Sequence, residues 1–287
     1  MGDGGESGES GGSGGQTPTL PQCAAPLDRT VPSSMFDMAR CLFEGDDAPQ
    51  RDVEAGVIDP KRVVVLRGRV LDEDGDPLPG ASVSVWKHPE LGHTLSRADG
   101  YFDLAANGGG QLTLTYELDG YLSARRHLGT SWRQFSVFPD VVLLENAAVS
   151  TRVNLGTSEA KLVEGALVSD ARGTRQELLL FQPDTQAELV LPNGKKQALE
   201  SLHVRVREFT AGEQGRLAMP ADLPASSGFT YAVAYTADEA TDAGADRIEF
   251  SKPVISYTDN FLEFPAGTVV PNGVYDPDSD SWKPDAS

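Results

Sequence analysis

From Val63 to Leu144 the chain alternates apolar and polar residues with a period of two, the pattern of strands with one face buried. In "VVVLRGRVLD" Val64, Leu66 and Val70 point one way while Arg67 and Arg69 point the other. "ASVSVWK" sets Ala81, Val83 and Val85 against Ser82 and Ser84, and "QLTLTYE" and "DVVLL" continue the series. The clusters "RADGYFD" and "NGGG" carry the residues that punctuate strands, so this stretch predicts an all-β unit of about seven strands ending near Leu144. A second β-rich run begins near Ala148. It predicts strands in "QELLLFQ", "AELVLPNGKK", "LHVRVREF", "TYAVAYT", "RIEFSKPV" and "NFLEFPAG", with a hairpin turn at Asn193-Gly194. Two segments depart from this period. In "PSSMFDMARCLFEG" Met35, Phe36, Ala39, Leu42 and Phe43 recur at helical spacing behind a cap at Ser33 or Ser34, and a stripe this short should dock on a neighbouring sheet. In "TADEATDAGA" Thr236 and Glu239 have the spacing of a capping box for a second short helix.

Composition supports the same class. The 287 residues suffice for about two domains, and 30 glycines and 19 prolines suit a turn-rich β protein. The net charge of -19 argues against nucleic-acid binding, which needs a basic face to neutralise phosphates. No apolar run reaches the roughly 18 residues of a membrane span. The opening "MGDGGESGESGGSGGQTPTLPQ" lacks the basic and apolar regions of a signal peptide and reads as a flexible tether over residues 1–26. Tethers of this kind follow the lipidated cysteine of many bacterial lipoproteins. One reading is therefore a presequence already removed, with membrane attachment only through a lipid anchor outside the given chain. The other is a tail of no consequence. In an extracellular or cell-surface setting Cys23 and Cys41 are a candidate disulfide; two unrelated thiols are the alternative.

Candidate chemistry is sparse. "LDEDGDPLPGASVSV" places Asp72, Asp74 and Asp76 at the first, third and fifth positions of a calcium loop. Pro77 stands where the glycine must be and Val83 where the bidentate glutamate must be, so the stretch reads as a turn between strands. Asp276, Asp278 and Asp280 repeat the theme with the same omissions and read as an acidic linker over 276–287. "HPELGH" offers His88, Glu90 and His93, but without the spacing or cysteine partners of a zinc site. His203 alternates with Arg205 and Arg207 and should face solvent. There is no nucleophile elbow, P-loop or dinucleotide fingerprint, and Cys41 has no local partner for a thiol dyad. No catalytic, cofactor-binding or metal residue is assigned. Trp86, Tyr101 and Trp132 could form a carbohydrate- or protein-binding patch, although aromatics in a small sandwich more often fill its core.

"GRVLDEDGDPLPGASVSVW" followed by "TLSRADGYFDLAANGGGQLTLTYELDGYLSARR" resembles the carboxypeptidase-regulatory, transthyretin-like β-sandwich. The resemblance rests on Gly68, Val70, Gly75, Pro77, Pro79, Gly80, Ala81, Asp99, Gly100, Phe102, Gly120 and Tyr121. That family is informative about fold and poor about function, since its domains are non-catalytic accessories. A broader resemblance, carried by "PLDRTVPSSMFDMARCLFEG", "GTRQELLLFQPDTQAELVLPNG" and "DNFLEFPAGTVVPNGVYD", is to the region ahead of the shell in bacterial Rhs/YD-repeat proteins. These are similar in layout to animal teneurins. The resemblance implies a tether (1–26), a helical or irregular segment (27–61), a transthyretin-like sandwich (62–146), a fibronectin-plug-like β domain (147–275) and the acidic linker. It implies a structural module whose partner is a YD-repeat shell or another protein. The chain departs from the pattern in having no YD repeats and no toxin domain; Tyr275-Asp276 is a lone pair. The alternative is a free-standing surface lipoprotein that binds carbohydrate or protein through its sandwich loops.

Overall fold

A computed structural model describes residue 30 and residues 32–210, 214–222 and 230–284. The first element is α1 (Met35–Phe43), capped by Ser34 rather than Ser33. The Ser34 hydroxyl accepts from the Asp37 amide, and the Asp37 carboxylate accepts from the Ser34 amide, each at 3.2 Å. Met35 and Ala39 are buried, and Phe36, Leu42 and Phe43 pack against the same core, so the helix docks as its stripe predicts.

The first β module contains β1 (Val63–Leu71), β2 (Ser82–Val85), β3 (His93–Leu95), β4 (Tyr101–Asn107), β5 (Gln111–Glu117), β6 (Ala124–Gly129), β7 (Phe135–Val137) and β8 (Val141–Val142). That is eight strands where the pattern predicted about seven. One sheet has the order β4-β1-β7, with β8 also pairing β1; the other runs β3-β2-β5-β6. Val64, Leu66, Val70, Phe102 and Leu104 of the first sheet share a core with Val83, Val85, Leu114 and Tyr116 of the second. The opposite side of β1 is buried too at Val63 and Val65, because α1 packs on β1 and β4. Beyond that cover the same side turns outward at Arg67, as the alternation predicted.

A side chain closes the free edge of β4. The buried Gln50 amide accepts from Ala105 N (2.7 Å) and donates to Ala105 O (2.9 Å) and Leu91 O (2.7 Å). An open strand edge is a template for unwanted pairing, and this side chain occupies it. The aspartate-rich stretch is a turn: Asp72 Oδ1 accepts from the amides of Asp74 (3.0 Å) and Asp76 (2.9 Å). Gly75 sits in its bend at φ +85°, a conformation that favours glycine.

The second module contains β9 (Thr151–Asn154), β10 (Lys161–Glu164), β11 (Val168–Asp170), β12 (Gly173–Arg175), β13 (Glu177–Phe181), β14 (Ala187–Val190), β15 (Lys196–Leu199) and β16 (Ser201–Glu208). The short helix α2 (Gly215–Ala218) follows, then β17 (Val233–Ala237), α3 (Asp238–Ala243), β18 (Arg247–Phe250) and β19 (Ile255–Thr258). Three small sheets, β10-β13-β19, β15-β14-β18 and β17-β16-β9, surround a core of Val163, Leu179, Phe181, Leu202, Val204 and Val206. Asn193-Gly194 lies in the β14–β15 hairpin, as predicted.

Three expectations need correction. "NFLEFPAG" is not a strand: the Asn260 side chain folds it into a loop, accepting from Phe264 N (2.9 Å) and donating to Phe264 O (2.8 Å). Thr236 and Glu239 form no capping box. The helix starts at Asp238 without a side-chain cap, Thr236 donates to Asn146 Oδ1 (3.0 Å), and Glu239 accepts from the His203 amide (2.8 Å). Finally, part of the expected acidic linker is a hairpin, β20 (Gly273–Asp276) with β21 (Ser281–Pro284). Asp276 accepts in its turn from Asp278 N (3.1 Å) and the Ser279 hydroxyl (2.6 Å).

Two substitutions in the first module have opposite expected signs in urea unfolding. Gln50→Leu strands the buried Ala105 amide and should destabilise by about 2–3 kcal/mol. The Tyr116 hydroxyl is buried with no hydrogen-bond partner, and burial pushes its pKa well up. Tyr116→Phe removes that desolvated hydroxyl and should be neutral or stabilising by up to about 1 kcal/mol.

Candidate docking surface and the junction that supports it

The chain passes between the modules just after β8. There a separate apolar cluster forms from Leu71, Val142 and Leu144 of the first module and Phe209, Ala218 and Met219 of the second. Buried Arg126 on β6 donates to Met219 O (2.9 Å) and to Leu217 O, while the Arg125 amide donates to Pro220 O (2.7 Å). The segment carrying α2 thus covers the edge of β6. Arg207 pairs with Glu73 across the junction. The β20–β21 hairpin returns to the first module: Lys87 donates to Asp278 O (3.0 Å), and the Arg125 guanidinium donates to Pro277 O (2.5 Å).

Inside the second module lies a charge cluster. Arg175, fully buried, makes a double bond-pair with Asp170 (both 2.9 Å) and binds Glu208 through Nε and Nη2, the latter at 2.6 Å. Its remaining N–H faces Gly173 O at 3.3 Å, and the Phe261 ring stacks at 4.6 Å. Every donor of the guanidinium is engaged, the condition under which a buried ion pair is tolerable. The Arg175 hydrogen bonds hold the Asp170 carboxyl well below its ordinary value of 3.8. Beside it, buried Glu177 accepts from the hydroxyls of Tyr235 (2.6 Å), Tyr231 (3.2 Å) and Thr258. Burial first, and Glu177 next, push the pKa values of Tyr231 and Tyr235 well up. All these groups are consumed by one another. They tie β12, β16, β17 and β19 together and offer no free acid–base pair.

The surface that remains open lies on the β10-β13-β19 sheet. β13 carries apolar residues on both faces: Leu179 and Phe181 point into the core, while Leu178 and Leu180 point out. The register aligns Leu162, Leu180 and Ile255 in one outward row and Leu178 and Tyr257 in the next. Leu162 is 41% exposed, Ile255 37% and Tyr257 51%. Continuous apolar runs such as "LLLF" belong to strands covered on both sides, and here the outward side is only partly covered.

The residues singled out from sequence are mostly not assembled. Cys23 lies outside the described residues, as does the tether; Cys41 sits on α1. His88 pairs with Glu90 (2.9 Å), but His93 faces Asp52 (3.4 Å) instead. No metal-holding group of His, Cys, Asp and Glu occurs among the described residues. His203 is only half exposed, its ring against Glu239 at 2.7 Å. Tyr101 and Trp132 are exposed and Trp86 is half-buried, so none fills the core as expected. The Arg175 cluster and the outward row of β13 were missed as features. The second had a signal in the uninterrupted "LLLF".

These features define an all-β protein of sandwich-like modules, with a short docked helix. Residues 58–143 match the model of the teneurin TTR-like domain, so the first β module is a domain of that type. Teneurin-1 of Gallus gallus is 36% identical over 120 residues, covering 41% of this chain and 4% of the relative. Teneurin-3 of Mus musculus is 43% identical over 79 residues, covering 28% of this chain and 3% of the relative. The chain therefore spans only a small part of the length of these relatives. Among solved structures, the Bacillus anthracis TIE protein superposes with a TM-score of 0.26 at 12% identity, over 61% of this chain and 31% of that one. The 3-chlorocatechol 1,2-dioxygenase of Rhodococcus opacus 1CP gives 0.24 at 15% identity, over 34% and 64%. Both scores are too low to carry an argument.

Arg175→Met should destabilise the second module by about 3 kcal/mol by removing the main partner of Asp170 and Glu208, which keep only the longer contacts of Arg172 at 3.5 and 3.7 Å. Arg175→Lys should rescue little, because an ammonium cannot serve both carboxylates in the plane of the fork. The depressed Asp170 carboxyl contributes stability that is complete above its ordinary value of 3.8 and is lost as pH falls toward its lower folded value. Urea unfolding monitored at a series of acidic pH values should show that limb flattened in Asp170→Asn.

Proposed function

We propose that the chain is a non-catalytic structural module, the scaffold and plug region of a larger teneurin-like or Rhs/YD-repeat secreted protein. The observation that carries this reading is the outward apolar face of Leu162, Leu180 and Ile255 with Leu178 and Tyr257 in the adjoining row. A sheet face of this kind is stable when another surface covers it, and the wall of a β shell would do so by burial alone. The engaged charges of the second module support the absence of bond-making chemistry. The teneurin TTR-like domain and the small share of its relatives that the chain spans support a part of a longer extracellular or cell-surface polypeptide. On this reading Cys23 and Cys41 form a disulfide suited to an oxidising compartment.

The test is the mass of the native product in its source cells, read with an antibody against this chain. A band far above 30.6 kDa supports the reading, and a lone species near 30.6 kDa overturns it. In the isolated chain, Ile255→Glu with Tyr257→Glu should abolish binding of a hydrophobic dye while leaving urea stability within about 1 kcal/mol, since both side chains are exposed.

A further inference from the structure

At one end of the first module, the Gly108–Gly110 loop and the Pro89–Leu91 turn enclose a cleft of about 290 Å³, lined by Arg62, His88, Glu90, Gln111 and the glycines. That volume is at the lower bound of small-molecule sites. Trp132 packs against Gly109, one of the glycines that line it. A Cβ built on Gly109 would stand 1.8 Å from Trp132 Nε1, so the indole rests directly on the glycine backbone, and Gly109 also has φ +97°. Gly108 is crowded from another side, its hypothetical Cβ 2.5 Å from Ser131 O. Gly109 therefore makes room for an indole that is nevertheless 56% exposed. A large aromatic seated this closely and left open to water presents a flat apolar platform beside a polar cleft.

The polar groups balance one another. Arg62 is aimed by its bond to Gly108 O (3.2 Å). His88 Nδ1 pairs with Glu90 Oε1 at 2.9 Å, which leaves the other ring nitrogen and the other carboxylate oxygen outside that bond. That hydrogen bond holds the Glu90 carboxyl below the ordinary range, so it stays an acceptor at neutral pH. Gln111 adds an amide that can both donate and accept. One fixed cation and one fixed anion do not favour a charged ligand of either sign. Alternating donors and acceptors beside an aromatic plate suit a ring with hydroxyls on its rim and C–H groups on its face.

We propose that this cleft binds a neutral pyranose unit of a glycan, with the sugar face on Trp132 and its hydroxyls on Arg62, His88, Glu90 and Gln111. The site is independent of the apolar sheet face and stands whether or not the chain belongs to a larger shell. The test is saturation-transfer NMR on the full chain with the methyl glycosides of glucose, galactose, mannose and N-acetylglucosamine, together with a glycan array. At least one probe should bind, Trp132→Ala should weaken it about tenfold or more, and Glu90→Gln should weaken it by a smaller factor. Circular dichroism checks that each variant is folded. Should Trp132→Ala not fold, the exposed pair His88→Ala with Glu90→Ala serves instead. Failure of every glycoside and array glycan to bind overturns the proposal, as does binding that survives in the folded variant.

Discussion

Two strands of the chain, β1 and β13, carry apolar residues on both faces, and each such strand needs two covers. In β1 the run Val63–Leu66 is buried on both sides, facing the second sheet of its sandwich on one and α1 on the other. In β13 the run Leu178–Phe181 has the same character, but its outer face is only partly covered. Hydrophobic burial stabilises by roughly 25 cal/mol per Å² of apolar surface, so a helix as short as α1 is held mainly by the face it closes. No comparable helix serves β13 among the described residues, since α2 is taken up at the junction and α3 packs on β16 and β17. The difference between the two runs is the physical basis for reading the second module as half of an interface.

The interior of the second module is unusual in a different way. Asp170 and Glu208 converge on one buried guanidinium, Arg175, and beside them buried Glu177 accepts from the hydroxyl of Tyr235. Such a cluster is costly to desolvate, and an apolar core of equal volume would often be as stable. What the cluster adds is geometry. The planar fork of Arg175 accepts one arrangement of β12 and β16, and its stacking on Phe261 fixes the loop after β19. The apolar row on β13 is therefore displayed from a sheet whose neighbours are held in register by directional bonds rather than by shape alone.

The first module was largely legible in the sequence, because period-two alternation and turn chemistry are local signals. Asp72, Gly75 and Gly80 lie two to five residues from the groups that they organise. The failed capping box and the missed charge cluster share a cause: the side chains were taken by partners distant in sequence. Thr236 and Glu239 could have capped their own helix, but Asn146 and the His203 amide captured them. Arg175 and Glu208 are far apart in sequence, and no spacing rule links them. "NFLEFPAG" has strand composition, yet the Asn260 amide closes it into a loop. The Trp132 platform was equally hidden, because it depends on Gly109, which precedes it by two strands.

The two open surfaces make different demands on what meets them. The β13 row presents side chains with no hydrogen-bonding specificity, so a stable contact there must come from area and shape, as in a permanent interface. The Trp132 cleft is small, polar and rigidly seated, which suits a ligand that exchanges. The surfaces lie in separate modules with separate cores, and the junction of Leu71, Val142, Leu144, Phe209 and Met219 joins those modules without drawing on either surface. A chain built in this way can be anchored through one face and sample its surroundings through the other. Loss of either surface by mutation should then leave the other intact.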